Sequence, residues 1–384
     1  MKKKSRIWLL IYWICLYILL VIFFSNLNKK TEKWENIPLF TQLYSNIVQV
    51  LEWKKNSVYI VAWWDIMLSR NIWYFAKNEW YDRVFKTWNY NPVSSFENCI
   101  WEDCLLIFNL ESLFNEKDND IQKWWFDFRA NTWNIQTLLQ LRQDHKLMLG
   151  LANNHTINTT YSWVITTKNI LNEYNILNAW VWTTTWESRN FAIYEKNGIK
   201  MCIGSYSYDW QYVKVWAWKI SRNKTDEKII KEDLVRMWES ACDVKILMLH
   251  RWSEYRITPN NSQKKLAHNL IDSWADLILW WHSHVPWEYE IYNGKYIFYS
   301  FWNFIFDQWR WKWSDLSYDR IFDYSLNKRT IPTYISMAIW LNIEKMKTWI
   351  NITLDKISFA SLTDWISSPV DEQTYSWLIE RITK

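Results

Sequence analysis

Asp, Glu, Asn and His are the side chains that hold divalent cations, and in this chain they recur directly after short apolar runs. Asp65 follows Val58-Tyr59-Ile60-Val61-Ala62 and two tryptophans, and Asn109 and Glu111 follow Leu105-Leu106-Ile107-Phe108. Asn153-Asn154-His155 follows Leu149-Gly150-Leu151-Ala152, and His250 follows Ile246-Leu247-Met248-Leu249, with Glu254 four residues on. His282-Ser283-His284 follows Leu277-Ile278-Leu279 and two more tryptophans, and Asn303 and Asp307 follow the run that ends at Ser300. Of the 6 histidines, those at 155, 250, 282 and 284 occupy such junctions. One polar residue after a strand is ordinarily a cap or a turn former. The same chemistry at successive junctions instead fits a mixed nitrogen–oxygen site for Mn, Fe or Zn. His145 and His268 lie in or beside helix-like stretches without a companion at ligand spacing, and read as structural or surface residues. Arg310 and Lys312 read as a solvated loop, with contact to an anionic substrate as the alternative.

The apolar runs read as strands: Val58–Ala62, Leu105–Phe108, Leu147–Ala152, Met201–Ser205, Ile246–Leu249, Leu277–Leu279 and Tyr296–Ser300. Helical stretches separate several of them, over Ile135–Gln143, Val164–Tyr174, Glu227–Glu239 and Ser262–Ser273. Strands alternating with helices predict an α/β protein with covered sheet faces. In open sheets of that kind ligands bind beyond the carboxyl ends of the strands, where the candidate ligands stand. The tail predicts a strand pair near Ile335–Ile343 and Ile350–Ile357, then a terminal helix.

Composition bears on what those junctions contain. The 384 residues include 4 glycines and 34 tryptophans, whereas about 27 glycines would be ordinary. Trp63-Trp64 and Trp280-Trp281 stand between a strand and a polar residue, where glycine permits a positive φ or close backbone approach. Trp180 and Trp182 close a helix-like stretch, another glycine position. The expectation is that UGA encodes glycine in the source and that many of these tryptophans are glycines. A literal sugar-stacking surface would instead place indoles in rows along exposed strands. Charged residues make up 22% and the net charge is +5, which excludes a disordered polar chain and a strongly basic nucleic-acid binder.

Lys2, Lys3, Lys4 and Arg6 form a basic flank (1–6) before an apolar run at 7–24. Eighteen residues suffice to cross a bilayer core, and the flank places the remainder outside. Ser25-Asn26-Leu27-Asn28 offers no A-x-A cleavage site, so a retained signal anchor is expected. Residues 25–56 read as a stalk and 57–384 as the globular domain. Beyond Cys15 in the apolar run, Cys99, Cys104, Cys202 and Cys242 permit bridges in an oxidising compartment. A Cys99–Cys104 pair and buried free thiols are equally compatible with the spacing.

With the suspect tryptophans read as glycine, residues 63–68 become GGDIML, 250–255 HRGSEY, 281–285 GHSHV and 299–307 YSFGNFIFD. Residues 109–112 are NLES and 152–156 ANNHT. In order and spacing these resemble the CapA family, the poly-γ-glutamate capsule biosynthesis proteins of the metallophosphatase superfamily, over about 58–307. The resemblance implies a calcineurin-like metallophosphatase sandwich of two β-sheets flanked by helices. It also implies one or two divalent metal ions. Position by position, it makes Asp65, Asn154, His250, His282 and His284 metal ligands and Glu111 a ligand or its neighbour. His155 would stabilise the reacting group, and Glu254 would orient His250 or meet substrate. The family's association implies an anionic surface polymer or phosphoester substrate and capsule-synthesis membrane proteins as partners, without nucleic acid. The typical D-x-H opening is absent; Asn158 stands where Asp is frequent and Arg251 where an aromatic is usual. A metal-dependent hydrolase is the leading expectation, and a membrane-anchored scaffold that guides polymer is the alternative.

Overall fold

The computed structural model describes residues 56–63, 65–69, 104–115, 128–142, 145–158, 161–179, 181–182, 189–207, 221–222, 227–250, 258–284, 287–301, 304, 335–363 and 366–383. The strands that lead into the candidate site are β1 (Ser57–Ala62), β2 (Leu105–Asn109), β5 (Lys146–Gly150), β9 (Ile199–Ser207), β11 (Val244–His250) and β12 (Leu277–Trp281). All but the ends of β5 and β9 are buried along their whole length. Near-continuous apolar runs of this kind are what parallel strands covered on both faces require.

The strands form two large sheets. Seven strands run in the order β17 (Ile366–Pro369), β16 (Ile350–Thr363), β15 (Ile335–Lys345), β1, β2, β5, β6 (Leu177–Ala179). Pairing is parallel from β1 through β6, and antiparallel where β15 docks on β1. Six strands run in the order β13 (Tyr289–Tyr292), β14 (Lys295–Phe298), β12, β11, β9, β8 (Ala192–Lys196), with a parallel centre and antiparallel edges. The minor strands β3 (Leu113–Asn115), β4 (Arg129–Asn131), β7 (Val181–Trp182) and β10 (Ser221–Arg222) pair outside both sheets. The sheets meet closely at Gly150, where an added Cβ would lie 2.5 Å from Met248 Cε and 3.0 Å from Ser205 Oγ. A side chain there would require the flexible Met248 tip to move aside.

Among the described residues five α-helices accompany the sheets: α1 (Ile135–Arg142), α2 (Tyr161–Glu173), α3 (Glu227–Glu239), α4 (Asn261–Asp272) and α5 (Glu372–Ile382). Leu266, Ala267, Leu270 and Ile271 form the buried stripe of α4. Its start is fixed by a capping box, with Asn260 accepting from Gln263 N and the Gln263 side chain accepting from Asn260 N, both at 2.9 Å. Such a cap contributes about 1 kcal/mol. The expected two-sheet α/β architecture, the late strand pair and the terminal helix are all present. Among the described residues no helix is long and apolar enough to cross a membrane, and the expected anchor at 7–24 lies outside them.

Two expectations are corrected. Trp63, Trp280 and Trp281 have ordinary backbone conformations; of the described tryptophans only Trp274 has a positive φ, at 79°. Trp280 and Trp281 lie within β12 rather than after it, and Trp182 lies in β7 rather than at a helix end, because the strands extend through the indoles. The alternative of buried free thiols fails for Cys104, Cys202 and Cys242, which are all disulfide-bonded. Cys202 in β9 bonds Cys242 before β11, closing the α3 crossover. Cys99 lies outside the described residues.

Candidate metal centre

Loops leaving both sheets converge at the carboxyl ends of the strands. Asp65 follows β1, Glu111 follows β2, His250 ends β11, and His282 and His284 follow β12; Asp65, Glu111, His250 and His284 are all buried. Ligand atoms of Asp65, Glu111 and His284 lie within 4.8 Å of one another. His284 Nδ1 is 3.7 Å from Asp65 Oδ2, and His250 Nε2 is 2.8 Å from Glu111 Oε1. The rings of His250 and His282 are 4.7 Å apart and those of His282 and His284 are 6.2 Å apart. Two acids thus come from one sheet and three imidazoles from the other.

The loop after β12 bends sharply to achieve this. His282 and His284 hold φ of 97° and 52°, a region that side chains with a Cβ occupy at a cost of about 1–3 kcal/mol each. Strain on two neighbouring histidines is tolerated where the bend aims both rings at the same place. Burial, and then the neighbouring His250 and His284, hold the His282 imidazole neutral well below the ordinary histidine range. A neutral imidazole is the form that binds metal. Its buried Nδ1 has no hydrogen-bond partner, and neither has the buried Oδ1 of Asn154. Imidazoles converging with two buried carboxylates suit a divalent cation.

The turn after β5 supplies the remaining groups. Asn154–Asn158 forms a 3-10 turn. The Asn154 side-chain amide meets His155 Nε2 at 3.2 Å. The Phe128 ring packs on His155 with centroids 3.6 Å apart. Glu254, Arg251, Asn303, Asp307, Arg310 and Lys312 lie outside the described residues. His145 accepts from Cys104 N and His268 pairs with Glu290 at 2.8 Å, both away from the cluster, as their structural reading requires.

The motifs did not single out Ser207, whose buried Oγ has no hydrogen-bond partner and which is in register with His250 across the β9–β11 pair. Its signal was position alone, the last residue of a strand read too short.

The architecture and this cluster define a two-sheet α/β protein with a buried carboxylate–imidazole centre suited to a divalent cation. Residues 60–308 match the family described as bacterial capsule synthesis protein PGA_cap, and the chain belongs to that family. It is similar to the PGA biosynthesis protein CapA of Bacillus subtilis (strain 168), 44% identical over 66 residues, which are 17% of each chain. It is also similar to the capsule biosynthesis protein CapA of Bacillus anthracis, 33% identical over 103 residues, 27% of this chain and 24% of the relative. The matched segments therefore span less than a quarter of the length of either relative. Among solved structures, the calcineurin-like phosphoesterase YfkN of Bacillus subtilis aligns over 85% of this chain and 98% of its own, with TM-score 0.42 and 15% identity. A 5'-nucleotidase precursor from Thermus thermophilus aligns over 84% of this chain and 58% of its own, with TM-score 0.40 and 11% identity.

Proposed function

We propose that this chain is a membrane-anchored, outward-facing metal-dependent hydrolase that acts on an anionic surface polymer, at a phosphoester or γ-glutamyl bond. The observation that carries the reading is the buried convergence of Asp65, Glu111 and His284 within 4.8 Å. Membership of a capsule synthesis family supports the polymer. The Cys202–Cys242 bridge supports an oxidising, extracytoplasmic compartment, and the basic flank before 7–24 supports the orientation.

Asp65, Glu111, His250, His282, His284 and Asn154 would hold one or two ions of Mn, Fe or Zn. A bound ion supplies Lewis acidity and a water acidified to neutral pH. His155, packed by Phe128, would act on an oxygen of the leaving group or of the reacting centre as general acid or electrostatic stabiliser. Glu254 is kept as a group that orients His250 or meets substrate. The chain would work beside the membrane proteins that make or export the polymer.

Metal content by elemental analysis tests this reading, on the full chain in detergent beside Asp65→Ala and His284→Ala. Stoichiometric metal that both substitutions abolish supports it and directs a screen of phosphodiesters and γ-glutamyl polymers for hydrolysis. Folded protein that takes up none of the three metals overturns it, and the polymer-guiding scaffold then stands.

We infer further that many of the tryptophans are glycines in the native protein. Helices α2, α3 and α4 end alike, with a left-handed residue whose N–H and whose successor's N–H both turn back to the last helical turn. Those residues are Asn175, Ala241 and Trp274, with φ of 54°, 56° and 79°. Glycine is the common residue there and tryptophan is disfavoured. Trp281 adds a buried indole N–H without a hydrogen-bond partner beside His282. Peptide mass analysis of native protein across 61–70 and 274–284 decides it: glycine masses support the recoding, and intact tryptophans overturn it.

A further inference from the structure

We propose that Asn109 and Asn153 are positioning residues of the metal site, an amide relay that fixes which oxygen of Asp65 faces the ion. The proposal rests on the metal reading above. Its basis is a hydrogen-bond chain across the ends of β5, β2 and β1 whose direction follows from chemistry. Asn153 Oδ1 accepts from two backbone N–H groups, those of His155 and Thr156, both at 3.1 Å. Backbone N–H groups only donate, so that end of the amide is the oxygen.

The Asn153 NH2 group is then committed to Leu110 O at 2.8 Å and to Asn109 Oδ1 at 3.3 Å. Asn109 must therefore turn its own NH2 group away, toward Asp65 Oδ1, which it meets at 2.6 Å. The Asp65 carboxylate is left with Oδ2 on the side of His284. Asn109, Asn153 and Asp65 are all buried, so water does not compete for these bonds. The same Asn153 carbonyl that orients Asp65 at a distance also caps the turn bearing His155. The relay thus ties the ligand that follows β1 to the turn that carries His155.

Outer hydrogen bonds of this kind typically change metal affinity 10–100-fold when removed. The test is calorimetric titration of the full chain in detergent with Zn and, separately, Mn. Asn109→Ala is expected to weaken binding about 10–100-fold, and Asn153→Ala to weaken it less. Because both act through one path, the double substitution should bind no more weakly than Asn109→Ala alone; independent effects would instead multiply. Asn134→Ala is the control, since Asn134 is a buried asparagine that donates to Leu68 O at 2.7 Å and stands outside the relay. It should lower the melting temperature without changing metal affinity. Should Asn109→Ala not fold, Asn109→Ser, too short to span Asp65 and Asn153, is expected to show the same loss.

Tight binding by the parent chain with unchanged affinity in the Asn109 variants overturns the relay and leaves the metal reading standing. Multiplicative losses in the double variant also overturn it. A folded parent chain that binds neither Zn nor Mn, and takes up no Fe by elemental analysis, overturns the metal reading, and the relay falls with it.

Discussion

The two ends of the strands treat charge in opposite ways. At the amino ends, acids meet lysines. Asp276 takes Lys245 at 2.7 Å and Lys295 at 2.8 Å, and Asp243 takes Lys345 at 2.8 Å. The same carboxylates also accept backbone N–H groups, Asp276 from Lys245 and Asp243 from Lys200. At the carboxyl ends, Asp65 and Glu111 are buried instead against imidazoles, two of which sit on strained backbone. A charge matched locally and seated on regular backbone serves the fold. Acids and imidazoles gathered at a bend cost stability, and such conflict marks a site.

The sharpest way to break this contrast is to supply the cation. If the carboxyl end is built for it, Zn or Mn at about 1,000 times Kd should stabilise the fold by about 4 kcal/mol. The gain is read as a rise in melting temperature. Glu111→Gln should remove most of it, while Lys295→Met at the other end should leave it intact. Equal loss in both variants would dissolve the distinction between the ends.

The amino end has its own large term. The Cys202–Cys242 bridge closes a segment of sequence separation 40, which by loop entropy contributes about 4 kcal/mol. Cys202→Ser with Cys242→Ser should lower the denaturant midpoint accordingly and leave metal affinity unchanged. Lys245→Met should cost about 2 kcal/mol, below the range for a broken buried pair because Lys295 still neutralises Asp276. Urea unfolding of the metal-free chain measures both.

The ends should also differ in their response to acid. His282 is held neutral in the fold, whereas the unfolded chain protonates it near 6.5. Below that pH the unfolded state binds a proton that the folded state does not, so stability falls as pH falls. For one such group the slope reaches about 1.4 kcal/mol per pH unit. His282→Ala should flatten the metal-free curve between about pH 6.5 and 5. A slope unchanged by that substitution would remove His282 from the account.

Much of the carboxyl end was legible because its signals are local. Asp65, Glu111, Asn154, His250 and His284 each follow an apolar run, and the runs became strands with ends within a residue or two of those expected. The α3 boundaries, Glu227–Glu239, matched outright. The partition into sheets was not legible. That β15 would insert beside β1, from the far end of the sequence, depends on pairing between distant segments. The Cys202–Cys242 bridge and the role of Asn109 were hidden for the same reason, since each is a contact between separate strands. Tryptophans misled the strand ends, because reading Trp280 and Trp281 as turn glycines stopped β12 at Leu279, whereas the strand runs through both.

The smallest predicted effect returns to those tryptophans. Trp274 occupies the left-handed position after α4; its N–H bonds Ile271 O at 3.0 Å, and Ala275 N–H bonds Leu270 O at 3.1 Å. Its side chain is 58% exposed, so little burial is lost on removing it. Trp274→Gly should therefore stabilise the chain by about 1 kcal/mol, the relief of a non-glycine left-handed residue less the added freedom of the unfolded glycine. Trp280→Gly in β12 should do the reverse, because that indole is fully buried and its strand backbone is ordinary. Opposite signs at positions six residues apart would separate a tryptophan seated on a glycine backbone from one the core has absorbed. Destabilisation at both would mean that α4 ends on a true tryptophan, and that the composition needs another explanation.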